Sequence, residues 1–155
     1  MSIKVEVQYA CQSPHLPDKK TLTRWVKMVT QMVPCPQKVM ELTIRVVDEQ
    51  EGCELNTKWR QRSYPTNVLS FPFESPSGFH FPLLGDIVIC APVVVREAQD
   101  QNKPLVAHWA HLVIHGTLHL LGYDHLEETQ AQIMENLEIN ALQRLGYPNP
   151  YLDIQ

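Results

Sequence analysis

The stretch LVAHWAHLVIHGTLHLLGYDH, residues 105–125, carries most of the information about how this chain folds. We predict a helix over 105–121, with histidines that recur along one face at intervals of four. Pro104 precedes the segment and separates it from an earlier helical pattern. Gly122 follows it, and a glycine just after a helix can adopt the left-handed conformation that turns the chain back. We therefore expect a histidine-bearing helix that ends in a glycine turn.

The spacing of the histidines indicates which of them can act together. His111, His115 and His119 lie at intervals of four, so the outer two are roughly 12 Å apart at about 1.5 Å rise per residue. Metal–nitrogen bonds are only about 2 Å long, so these three cannot share one ion. Two helical neighbours can share it with a third histidine that the glycine turn brings back. The predicted metal ligands are therefore His115, His119 and His125.

The other two histidines of the helix are assigned different roles. His111 lies one turn before the triad. It is predicted either to contact a metal ligand without binding the metal itself or to line the cleft. His108 is expected to be a surface or interface histidine. Incidental histidines on a helix are common, and it is the glycine turn and the third histidine that favour a metal site here.

Three imidazoles leave the fourth position of a tetrahedral ion open, as in catalytic and not in closed structural sites. The expected cofactor is one divalent metal ion. Imidazole ligands favour zinc, while nickel, copper and iron are compatible with the same donors. A bound metal would activate water near neutral pH.

Gly116 bears on the chemistry of this site. The spacing matches H-E-x-x-H-x-x-G-x-x-H of metzincin-type zinc proteases, except that Gly116 occupies the position of the catalytic glutamate. Without that carboxylate, peptide hydrolysis is disfavoured. Gly116 either leaves space for a ligand or permits close helix packing. Asp124 is left with three alternatives, namely a general base, a group that orients a ligand imidazole, or a cap of the next helix.

The remaining sequence patterns predict one α+β domain over 1–155, a small mixed β-sheet packed with helices. Asp18 is placed to cap the first helix, and Pro34 to end it. The segment 40–48 is β-branched and apolar, as in a central strand. A turn-rich loop is expected at 74–82. The predicted strands are 3–10, 40–48, 67–73 and 83–90, and the predicted helices are 18–33, 49–60, 92–102, 105–121 and 127–145.

Composition narrows the class of protein further. The net charge of −4 argues against a general nucleic-acid binder, although basic residues cluster in the first half of the chain. The chain shows no apolar run long enough to cross a bilayer and no secretion leader, so we expect a cytoplasmic protein without membrane contact. The four cysteines show no C-x-x-C pair and are expected to be reduced structural thiols.

Three motifs in order, PTNVLSFPFE (65–74), LLGDIVIC (83–90) and HGTLHLLGYDH (115–125), resemble the YbeY family of bacterial endoribonucleases. The resemblance implies a single α+β domain, a metal held by three histidines, and a role in ribosomal RNA maturation, including 16S processing, and in ribosome quality control. It carries the ligands over to His115, His119 and His125. It also assigns a functional arginine to Arg60. Where many members have aspartate, this chain has Asn67, which disfavours a catalytic carboxylate there.

The chemistry of a phosphodiester agrees with this resemblance. A guanidinium donates two parallel hydrogen bonds to phosphate oxygens, so Arg60 is predicted to bind the scissile phosphate. Lys58 and Arg62 would share its side of the chain in a strand but not in a helix. The expected partners are single-stranded ribosomal RNA and the ribosomal subunit or its associated proteins. Most aromatic residues of the loop region are expected in the core: Tyr64, Phe71, Phe73, Phe79 and Phe81.

Two alternatives to an endoribonuclease stay open at this point. Another metallohydrolase would need a carboxylate near the metal, with Asp124 as the leading candidate. A non-enzymatic, ribosome-associated binding protein would use the metal only to stabilise its fold. The acidic residues of the last helix are expected on a solvated face: Glu127, Glu128, Glu135 and Glu138.

Overall fold

The computed structural model describes residues 2–76, 78–79 and 81–152 of the chain. In these residues the elements follow the predicted order, and each boundary lies within two residues of its expected position. Ser77 and His80, in the expected loop 74–82, lie outside the described residues. The strands are β1 (Ser2–Ala10), β2 (Val39–Val47), β3 (Val68–Pro72) and β4 (Leu83–Cys90), and the helices are α1 (Lys19–Met32), α2 (Glu49–Arg60), α3 (Ala91–Asp100), α4 (Leu105–Leu120) and α5 (Glu128–Arg144).

The four strands form one mixed sheet in the order β1-β2-β4-β3. β1, β2 and β4 are parallel, and β3 runs antiparallel to β4, with Leu69 opposite Val88. The mixed sheet and the central position of β2 confirm the prediction. β3 lies at one edge of the sheet, so one side of its backbone is not paired within the sheet.

Helices α1 and α4 pack on one face of the sheet and enclose the main core. Asp18 caps α1 as predicted, because its side chain accepts a hydrogen bond of 2.8 Å from the Thr21 N–H. Leu22, Trp25 and Val29 form the buried stripe of α1. Apolar burial on this face is the main force that fixes α4, and therefore its histidines, against the sheet.

A smaller core lies on the opposite face, under α2 and α3. Val47, Leu69 and Val88 are buried there, with Leu55 of α2 packed against them. Cys90 belongs to the same cluster, and burial raises the pKa of its thiol to about 11. The cysteines are free, with Cys90 buried and the others half-buried, in agreement with structural thiols.

Helix α5 packs on α4 with a register that differs from the prediction. Glu138, expected on a solvated face, is buried, and Ile133 is 50% exposed. The buried side chains are Met134, Glu138, Ala141 and Leu142, whose spacing of three and four faces α4. In the part of the chain that the structure describes, no helix is both long and apolar enough to cross a membrane.

Candidate metal centre

The glycine turn after α4 forms as predicted and brings His125 back to the helix. Gly122 has a φ of +98°, in the left-handed region. Its N–H donates to the His119 carbonyl at 3.0 Å, and the Tyr123 N–H donates to the Leu118 carbonyl at 3.0 Å. This pair of bonds is a Schellman motif, which ends the helix and reverses the chain.

The three predicted ligands converge at the end of α4. One ring nitrogen from each of His115, His119 and His125 lies within 4.8 Å of the others. The ring centroids are 4.6 Å apart for His115 and His119, and 5.5 Å apart for His115 and His125. His115 and His119 are half-buried and His125 is exposed, so the cluster faces solvent on one side. The donor set is one that could hold a metal ion with an open position.

The environment of His119 favours its neutral form. Burial lowers the pKa of His119, and the neighbouring His115 and His125 lower it further, while Asp124 and Glu138 act in the opposite direction. A neutral imidazole offers the lone pair that a metal ligand needs. His119 is therefore suited to bind a metal as a neutral ligand.

Gly116 is explained by packing. A Cβ at this position would lie 3.0 Å from Cγ2 of Ile87, a fully buried residue of β4. The Gly116 carbonyl also accepts a hydrogen bond from the Ser70 hydroxyl of β3 at 3.4 Å. The position faces the sheet, so close helix packing is the better of the two explanations.

Glu138 is the main residue that the sequence prediction placed wrongly. Its side chain is 1% exposed, where a solvated helix face was expected. One carboxylate oxygen, Oε1, lies 2.6 Å from His111 Nε2 and 3.3 Å from His115 Nδ1. The Tyr151 hydroxyl donates to the same carboxylate at 3.0 Å. His111 therefore lies outside the triad, as predicted, and contacts it through Glu138.

The charge of this network follows from its contacts. Burial alone would raise the pKa of Glu138, but hydrogen bonds from His111 and His115 outweigh it and lower the pKa to about 2. Burial and the neighbouring Glu138 carboxylate raise the pKa of Tyr151, so its hydroxyl stays a donor. A signal for Glu138 was present in the sequence, because it lies four residues after Met134 and four before Leu142 on the buried stripe of α5.

His108 was also predicted wrongly, since it is buried and not at the surface. Its Nε2 lies 3.0 Å from Glu97 Oε1 of α3. Asn67 Nδ2 donates to the same oxygen at 2.9 Å, and Asn67 Oδ1 accepts from the Val68 N–H at 2.6 Å. His108 and Asn67 thus join α4 and the start of β3 to α3.

Asp124 makes a local contact. Its Oδ1 accepts a hydrogen bond of 2.7 Å from the N–H of His125. Glu127, not Asp124, is the N-cap residue of α5, so the capping alternative is wrong. The contact holds the backbone of one predicted ligand.

Arg60 is the last residue of α2 and is exposed. Lys58 lies two positions before it on the same helix, about 200° around the axis, so the two do not share a face. The Lys58 ammonium lies 5.1 Å from the ring centroid of Trp59. Arg62 follows in the loop, where its N–H donates to the Asn56 carbonyl. The grouping of three cations that a strand would have given therefore does not form.

The aromatic residues of the loop region are mostly exposed, which corrects the expectation that they lie in the core. Phe79 is 62% exposed, and its ring stacks on Phe81, with centroids 6.2 Å apart. The rings of Phe73 and Phe81 pack edge-on, with centroids 5.9 Å apart. Tyr64, Phe73 and Phe81 are also exposed, while Phe71 is half-buried.

The fold and the convergent histidines together define a small α+β protein with a three-histidine site of the kind found in metal-dependent hydrolases. A family model described as endoribonuclease YbeY matches residues 7–146. The chain therefore belongs to the YbeY endoribonuclease family, which supports an endoribonuclease role in ribosomal RNA processing.

A comparison of structures agrees on the fold. The chain is similar to the solution structure of TM1509 from Thermotoga maritima, with a TM-score of 0.59 and 24% sequence identity. The match covers 90% of this chain and 88% of that protein. At this level of identity the similarity shows a shared fold.

Proposed function

We propose that residues 1–155 form a single metal-dependent endoribonuclease domain that cleaves single-stranded regions of ribosomal RNA. The observation that carries this proposal is the convergence of His115, His119 and His125 in a chain of an endoribonuclease family. We further infer a cytoplasmic role in 16S maturation and ribosome quality control, with the ribosomal subunit or its associated proteins presenting the RNA.

The donor set fits one divalent ion, and zinc is the ion that three neutral imidazoles favour. His115 and His119 would hold it from the end of α4, and His125 from the turn. Such an ion supplies Lewis-acid activation of water and of a phosphate oxygen. The exposed side of His125 leaves room for a polynucleotide to reach the site.

Arg60 is proposed to bind the scissile phosphate. Its neighbour Trp59 packs edge-on against Phe71 of β3, with ring centroids 5.9 Å apart. The preceding residue of β3, Ser70, points to the opposite side and donates to the carbonyl of Gly116, next to His115. These contacts support the proposal, because they link the end of α2 and the histidine-bearing helix to the same edge strand. We propose that an RNA strand passing over β3 reaches both Arg60 and the triad. An always-charged guanidinium donates to phosphate oxygens and stabilises the added charge of the transition state.

The first test is cleavage of an end-labelled single-stranded ribosomal RNA fragment by the wild type and by His115→Ala. His15→Asn is the matched control, because His15 is exposed, lies outside the triad, and has a φ of +61° that asparagine tolerates. We expect cleavage to fall by roughly 10³-fold in His115→Ala, the loss of several kcal/mol of metal catalysis. Bound metal is quantified in each preparation, and the control keeps both metal and activity.

Equal cleavage by the wild type and His115→Ala would contradict the proposal and indicate a contaminating ribonuclease. Loss of metal with a lower melting temperature, and no cleavage by any preparation, would favour the non-enzymatic binding protein. Either result leaves the family assignment of the fold unchanged.

The second test separates binding from chemistry at Arg60. Of the three tryptophans, Trp59 is 59% exposed while Trp25 and Trp109 are at most 1% exposed, so fluorescence changes on adding RNA report on the Arg60 region. We expect Arg60→Ala to lower kcat/KM by about 10²-fold and Arg60→Lys to recover part of that loss. Arg24→Lys, on the exposed face of α1, is the control. Unchanged cleavage by Arg60→Ala would remove Arg60 from the mechanism.

A further inference from the structure

Glu138 is the one fully buried carboxylate among the described residues. It lies on α5, whereas the metal-binding histidines lie on α4 and in the turn after it. A buried carboxylate is costly unless donors surround it, so its contacts must account for its position. Two histidines of α4 and Tyr151, which follows α5, supply those contacts.

The geometry of the carboxylate is asymmetric with respect to the triad. Its Oε1 lies 2.6 Å from His111 Nε2 and 3.3 Å from His115 Nδ1. The Tyr151 hydroxyl lies 3.0 Å from both carboxylate oxygens. For the described residues, the structure records no side-chain hydrogen bond to the ring nitrogens of His119 or His125. Glu138 therefore acts on one ligand of the three.

The contact with His115 has a chemical consequence. A neutral imidazole carries one N–H and one lone pair, and the hydrogen bond that one nitrogen makes decides which nitrogen is free. A carboxylate oxygen 3.3 Å from Nδ1 is placed to accept a hydrogen bond there, which favours the tautomer with the proton on Nδ1. The lone pair is then on Nε2, the nitrogen that is free to bind a metal.

We propose that Glu138 is a positioning residue for the metal centre, which fixes His115 in the tautomer and ring orientation that present Nε2 to the ion. This inference rests on the metal site of the proposed function. His111 and Tyr151 hold the carboxylate in turn. Because Tyr151 follows the end of the family match at residue 146, the last described segment of the chain contributes to the site.

His111 is part of the support and not a fourth ligand. Its Nε2 is engaged by Glu138, and its Nδ1 is buried without a hydrogen-bond partner among the described residues. The ring centroid of His111 is 6.4 Å from that of His115, further than any separation within the triad. The series His111, Glu138 and His115 is therefore a carboxylate bridge between a buried histidine and a ligand.

The test measures zinc affinity by competition with a chelator at pH 7. Glu138→Gln keeps the shape of the side chain but removes its charge, and we expect an affinity loss of about 10- to 100-fold. Tyr151→Phe removes one donor to the carboxylate. Because Tyr151 is half-exposed, a smaller loss of zinc affinity is expected. Glu128→Gln is the matched control, an exposed glutamate on the same helix whose loss should leave affinity unchanged.

A metal-free measurement distinguishes positioning from general stabilisation. Long-range ¹H–¹⁵N spectra of the imidazole rings are expected to show His115 protonated on Nδ1 in the wild type and as a mixture of tautomers in Glu138→Gln. If Glu138→Gln does not fold, Tyr151→Phe gives the same readouts with a smaller change.

Two outcomes would overturn the proposal, and they differ from failure of the metal site itself. The first is a zinc affinity in Glu138→Gln equal to that of the wild type. The second is a His115 ring protonated on Nε2 in the metal-free wild type. Either would show that Glu138 does not position this ligand. A wild type that binds no divalent metal would instead refute the proposed metal site, and the positioning role with it.

Discussion

Helix α4 contributes histidines to two carboxylate networks that are built in opposite ways. In the first, His108 is 5% exposed and its carboxylate partner Glu97 is 31% exposed. In the second, Glu138 is 1% exposed, and its partners His111 and His115 are 13% and 23% exposed. The first network places the histidine deepest, and the second places the carboxylate deepest.

The difference explains why only one of these networks leads to the proposed metal site. The second nitrogen of His108, Nδ1, is buried with no hydrogen-bond partner in the described part of the chain, so no ion can reach it. His115 is held by Glu138 at Nδ1 and its ring is half-exposed towards His119 and His125. A buried carboxylate behind a half-exposed histidine is therefore the arrangement that leaves one ring nitrogen accessible to an ion.

The largest effect should come from breaking each network at its histidine. His115→Ala is expected to reduce bound metal close to background, at a smaller cost in stability than His108→Ala, because His111 and Tyr151 still donate to Glu138. His108→Ala should retain metal but lower the free energy of unfolding by about 2 kcal/mol, because it removes the partner of a half-buried carboxylate. Bound metal and the free energy of unfolding in urea are measured for both variants to check these opposite effects. Loss of metal in His108→Ala at full stability would contradict the distinction.

Asn67→Asp should disturb only the Glu97 network. The aspartate keeps the acceptor for the Val68 N–H but replaces the donor to Glu97, 2.9 Å away, with a second carboxylate. We expect a loss of about 1–3 kcal/mol at pH 7. The loss should shrink as the pH falls, because two close carboxylates can then share a proton. Urea unfolding at pH 7 and pH 5 measures the change, and Asn67→Ser is the uncharged control.

The smallest effect is the pH dependence of the Glu97 network. Burial would raise the pKa of Glu97, but the hydrogen bonds from His108 and Asn67 reverse this and lower its pKa below the ordinary value of a glutamate. A lowered carboxylate pKa contributes stability above the unfolded value, and this contribution disappears as the pH falls through the folded value. The wild type should therefore exceed Glu97→Gln by about 1 kcal/mol at pH 7 and approach it below pH 4. A difference that stays constant over this range would contradict the prediction.

The sequence predicted the order of elements and the histidine triad because both depend on local patterns. The stripe of Leu22, Trp25 and Val29 defines α1, and Gly122 defines the turn that returns His125. These features need only helical periodicity and the conformational freedom of glycine.

The parts that the sequence did not predict depend on contacts between distant segments. Glu138 meets His111 across 27 residues and Tyr151 across 13, and Asn67 meets Glu97 across 30. Charge alone suggested a solvated face for Glu138, while its position in the buried stripe of α5 suggested the opposite. The exposed phenylalanines were misjudged for the reverse reason, since hydrophobicity alone suggested burial.

The close contact of Gly116 with Ile87 has an evolutionary consequence. A protease with the same ligand spacing has its catalytic glutamate at this position, but here a side chain would begin 3.0 Å from a buried isoleucine and point into the sheet. One substitution would therefore place a carboxylate in the core and not beside the three histidines. To gain the catalytic glutamate of a protease, a descendant of this protein would have to change the distance between α4 and β4 as well. The packing of α4 therefore restricts which reactions such descendants can acquire.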